Sequence, residues 1–93
     1  MPVTARLLMS KADGSIKALE NMTPKDRDKI PTAAFAEDFN KFLEQAIQVA
    51  PDIQEVAPAA VKIHSGMTGD FSGARYGELL AYWRQMYNLL DAS

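Results

Sequence analysis

The sequence predicts an all-α fold, a compact bundle of four to five helices forming a single small helical domain over residues 1–93, and three observations support it. Two long segments, about 32–50 and 72–90, gather their apolar residues on one face at the period of an α-helix. The first 22 residues keep the same period, and no segment sustains the alternation of a half-buried strand. A chain that is 47% hydrophobic and 24% charged has the composition of a folded domain.

In the N-terminal segment, Ala5, Leu8, Ala12, Ile16, Leu19 and Met22 recur at helical spacing straight through Gly14. Asp13-Gly14 between apolar runs is also a hairpin signal, or a point where one helix becomes two. A helix is the better reading, because Leu7-Leu8-Met9 and Lys17-Ala18-Leu19 break the alternation that a strand needs. Thr23-Pro24 and the residues up to Ile30 then predict a capped short helical turn that ends before Pro31.

The segment between Pro31 and Pro51 predicts the first long helix. At 100° per residue, Phe35, Phe39, Phe42, Leu43, Ala46, Val49 and Ala50 share one side, while Glu37, Lys41, Glu44, Gln45 and Gln48 share the other. Thr32 is the expected N-cap and Pro51 the stop. Glu37 and Asp38 fall on the polar arc, the usual place for solvated charges, and Glu37 with Lys41 reads as a surface pair. Residues 51–65 read as one or two short helices, with Asp52 as a cap and Pro58 near the first turn of the later piece.

Residues 66–77, GMTGDFSGARYG, contain four of the five glycines. Ser72 as N-cap would place Phe71 at N′ and Tyr76 at N4, the positions of a hydrophobic staple, so that the last helix starts there and Ser65–Asp70 remains loop. Along that helix Tyr76, Leu79, Leu80, Trp83, Tyr87 and Leu90 form one stripe, and Tyr82, Met86 and Leu89 a second beside it. The combined apolar arc is wider than one buried face requires, which predicts a second neighbour for this helix.

The chemistry-bearing residues exclude more than they assign. One histidine and no cysteine leave no metal constellation, and no cofactor motif is present. His64 beside Ser65 lacks any nucleophile elbow and reads as a cation capping the end of a helix or as a partly buried polar group. Pro2 behind the initiator could expose a basic amine, but the chain offers no βαβ sheet to hold one. No residue is assigned a catalytic role, so an enzyme is the weaker expectation.

A net charge of −2, with the basic residues scattered from Arg6 to Arg84, provides no track for a phosphate backbone, so nucleic acid is not an expected partner. The longest strongly apolar run near the N-terminus, Leu7-Leu8-Met9, is too short for a signal segment or a membrane span. A cytoplasmic protein with no membrane partner is the expectation, as the lack of cysteine also suggests.

Two candidate sites follow. Tyr82, Met86 and Leu89 are the expected interface of a non-enzymatic interaction or assembly module, with a protein partner or a second copy of the chain. Ser72, Gly73 and Arg75 are the expected alternative, a small-anion or small-ligand site in a regulatory domain. There the N–H groups of Gly73, Ala74 and Arg75 would point out of a helix start.

Overall fold

A computed structural model describes residues 4–92, so the expectation about Pro2 lies outside the described residues. The chain forms α1 (Ala5–Glu20), α2 (Pro24–Arg27), α3 (Ala33–Val49), a 3-10 turn (Pro51–Glu55), β1 (Ile63–His64), β2 (Phe71–Ser72) and α4 (Tyr76–Ala92). This is a small all-α bundle with one short hairpin attached. No helix among the described residues is long and apolar enough to cross a membrane.

α1 is a single helix that runs through Gly14. Its N-cap is Thr4, whose Oγ1 accepts a hydrogen bond from the N–H of Leu7 at 3.2 Å. Leu8, Ala12 and Leu19 are its buried residues, and they meet Leu79, Leu80, Trp83, Met86 and Leu90 of α4 in the core. α3 contributes Phe39, Phe42, Leu43 and Ala46. Trp83 sits at the centre, 5.2 Å from Phe39 in an edge-to-face arrangement and 4.6 Å from Phe42. Fully burying a side chain of this size contributes about 1.5–3 kcal/mol, so these rings hold α3 and α4 together.

Helix directions explain the rest of the chain. The Glu20–Arg84 ion pair and the shared hollow of Arg6 and Tyr87 show that α1 and α4 run antiparallel. Phe35 meets Tyr76, and Phe39 meets Tyr82, so α3 and α4 run in the same direction. Two parallel helices need a return segment as long as the helix itself, here roughly 25 Å at 1.5 Å per residue. Residues 51–75 make that return, and an extended chain covers the distance where a compact pair of helices would not.

Several expectations are corrected by this geometry. Only Pro51–Glu55 is helical in the central segment, as a 3-10 turn with Ile53 buried, and Pro58 starts no helix. The amide of Asn40, midway along α3, instead holds Val61: Nδ2 donates to its carbonyl at 2.9 Å and Oδ1 accepts from its N–H at 2.7 Å. His64 therefore caps no helix and is exposed, not partly buried; it lies in β1, paired with Phe71, and its ring packs 5.4 Å from the Phe71 ring. The turn between the strands carries Gly69 at φ 127°, a conformation natural to glycine, with Met67 fully exposed.

The last helix starts at Tyr76 and not at Ser72. Ser72 is pulled into a small sheet: its N–H donates to the Pro31 carbonyl at 3.0 Å, and Phe71 bridges Thr32. Without a helix start there, Phe71 and Tyr76 make no staple, and Tyr76 packs on Phe35 instead, with ring centroids 5.2 Å apart. The cap of α4 comes from Glu78, whose carboxylate accepts from the Arg75 N–H at 3.0 Å, half of a capping box.

Candidate functional site

The bundle leaves an apolar cleft where α1, α3 and α4 converge. Tyr76, Leu79 and Trp83 of α4 form its floor, and Leu19 and Met22 close one end. Across from them stands Phe35, 45% exposed although it belongs to the apolar stripe of α3. The cleft is open because the α1 residues facing Phe35 are Ser15 and Ala18, whose short side chains do not reach across. Its volume is about 290 Å³.

The chain entering α3 keeps this end of the bundle splayed. α2 packs on the first turn of α4, where the Arg27 carbonyl lies 3.4 Å from a Cβ placed on Gly77. The Tyr76 N–H donates to the Lys29 carbonyl at 3.2 Å, and the Arg75 guanidinium donates to the Asp28 carbonyl. Residues 21–32 thus wrap around the start of α4 and leave the space between α1 and α3 unfilled.

One carboxylate stands in the cleft wall, and no basic side chain lines it. It belongs to Asp38, which sequence periodicity placed among solvated charges. Asp38 is half-exposed and pairs with Lys11 Nζ of α1 at 2.9 Å. A smaller hollow of about 170 Å³, lined by Ala34, Phe35 and Asp38, continues the cleft on the far side of the Phe35 ring.

The residues expected to form an interface divide. Met86 is fully buried in the core of its own chain, so it presents nothing to a partner. Tyr82 is half-buried against Phe39 and Leu89 is half-buried at the core edge. The broad apolar arc of α4 is largely taken up within the chain, by α1 on one side and α3 on the other.

The expected anion donors are also engaged. The Gly73 N–H donates to the Lys62 carbonyl at 2.7 Å, the Ala74 N–H to Ser72 Oγ at 3.1 Å, and the Arg75 N–H to Glu78. Ser72 is 1% exposed and its hydroxyl is turned to the Ala74 carbonyl. Gly73 is glycine because the chain is crowded there: an added Cβ would lie 2.9 Å from the Lys62 carbonyl oxygen and 3.0 Å from the His64 ring. A second hollow, of about 360 Å³, brings Gly73 and Tyr82 together with Lys62 and His64, while Arg75 is held at Asp28.

No family model, curated protein or solved structure matches the chain. The functional reading therefore rests on the geometry of the chain itself.

Proposed function

We propose that the protein is a non-enzymatic interaction module whose cleft between α1 and α3 receives an anchor side chain of a protein partner. The observation that carries this reading is Phe35, an aromatic ring left 45% exposed at the lip of a cleft that its own helix stripe would otherwise have buried. Anchor residues at protein interfaces fill such aromatic-lined pockets, and the surrounding contacts mainly exclude water. The α4 residues Tyr82 and Leu89 are the competing surface, through which a second copy of the chain would dock.

A random peptide library displayed on phage and selected on the whole chain tests the proposal. Enriched peptides should share an apolar-stemmed or aromatic anchor. Their affinity should fall by about tenfold or more in Ala18→Trp, whose ring would occupy the cleft from an exposed position on α1. Peptides that bind Ala18→Trp as well as the parent, or no enrichment at all, would overturn it.

A further inference from the structure

We infer that the anchor received by this cleft is cationic, an ammonium on an apolar stem of the kind a lysine side chain of the partner provides. The inference rests on the cleft being the docking site and adds the charge of what docks. Phe35 and Tyr76 form a corner, with centroids 5.2 Å apart and ring planes at 79°, and Trp83 lies beneath them. Aromatic faces attract cations through their quadrupole, while the stem of such a side chain gains the same burial as any alkyl group.

Charge complementarity gives the sign. Asp38 is the one carboxylate of the wall, no basic residue lines the cleft, and the carboxylate's partner Lys11 reaches it from outside the lining, so a cationic anchor can take the place of Lys11 while an anionic one finds no cation within the cleft. Lys11 already places an ammonium 2.9 Å from Asp38 Oδ1, which shows that this carboxylate is presented to such a group. Both side chains of that pair are about half-exposed, at 46% and 50%, so the pair is weak and an incoming ammonium can exchange with Lys11. The hollow beyond Phe35 shares Asp38 and leaves room for residues flanking the anchor, which fits a chain segment better than an isolated small molecule.

Three probes of equal alkyl length separate charge from burial: n-hexylammonium, 1-hexanol and hexanoate, titrated into the whole protein and read by the NMR resonances of the Trp83 indole and Leu79 methyls. At low salt, hexylammonium should bind about three- to tenfold more tightly than hexanol, and hexanoate more weakly than either. The ratio of ammonium to alcohol should fall towards one in Asp38→Asn and rise in Lys11→Ala, where the internal competitor is gone. It should also shrink as ionic strength rises. Equal affinity for hexylammonium and hexanol in the parent would overturn the charge inference and leave the apolar cleft standing. If none of the three probes moves Trp83 or Leu79, the docking site itself is refuted.

Discussion

Asn40→Ala should unfasten the return segment from the bundle. In the parent, the Asn40 amide makes two hydrogen bonds to the backbone of one residue, at 2.9 Å to the Val61 carbonyl and 2.7 Å from the Val61 N–H, at a part-buried position. Each such bond contributes about 1 kcal/mol net, and an unpaired group that stays buried adds to the loss, so removing both should cost about 2–3 kcal/mol. A domain of this size has a total stability on the order of 5–10 kcal/mol, so the variant loses roughly a fifth or more of it. Urea denaturation measures the global loss, and hydrogen exchange at the Val61 and Gly73 amides measures its location. Asn40→Asp sharpens the test, because it keeps the acceptor for the Val61 N–H but sets a carboxylate against the Val61 carbonyl. It should be destabilised near neutral pH and recover partly once protonated in acid. A loss below about 0.5 kcal/mol in Asn40→Ala, with Val61 protection unchanged, would refute the clamp.

Met86→Ala should cost about 2–4 kcal/mol in denaturant, because a fully buried side chain leaves a cavity, whereas half-buried Leu89→Ala should cost clearly less. Gly14→Ala should stabilise by about 0.5–1 kcal/mol, since Gly14 is mid-helix with nothing within 4 Å of an added Cβ. Gly73→Ala should instead lower the melting temperature, because its Cβ would meet the Lys62 carbonyl oxygen at 2.9 Å. Asp26 accepts from Lys29 and, next in weight, interacts with the Thr23 side chain, which together lower its pKa from 3.8. A depressed carboxylate stabilises the folded state above its unfolded pKa and loses that contribution as pH falls through the folded value. An NMR titration should therefore place Asp26 below 3.8, and Lys29→Ala should raise it.

The helices were legible because their signals are local. The 3.6-residue period through Gly14 identified α1, and the stripe from Phe39 to Ala46 identified the core face of α3. Thr23 capped α2 as its position before Pro24 implied, with its Oγ1 accepting from Asp26 N–H at 3.2 Å. The hairpin was not legible, because it exists to satisfy a global requirement: α3 and α4 run in the same direction, and the chain must travel back between them. Val61 and Ile63 in a stretch flanked by Pro58 and Gly66 carried a faint strand signal, but the helical reading of the central segment absorbed it. The place of Ser72 was hidden for the same reason, since the pairing of its N–H with the Pro31 carbonyl and of Phe71 with Thr32 depends on residues distant in the sequence.

The cleft was hidden in a different way. Periodicity counts Phe35 as core, and that fails where Ser15 and Ala18 are too short to cover the ring; Asp38 is exposed as its polar arc implies, yet it also stands at the wall of the cleft. Small residues among the larger apolar residues of α1 were the available signal. They become informative only once it is known that this part of α1 faces the start of α3.

The most direct test is the response of the Trp83 indole resonance to a peptide carrying a lysine anchor, taken from the selection on the whole chain. A saturable shift of that resonance is expected in the parent and none in Ala18→Trp at the same concentration. An equal response in the two proteins, or shifts confined to Tyr82 and Leu89 with Trp83 unmoved, would contradict it.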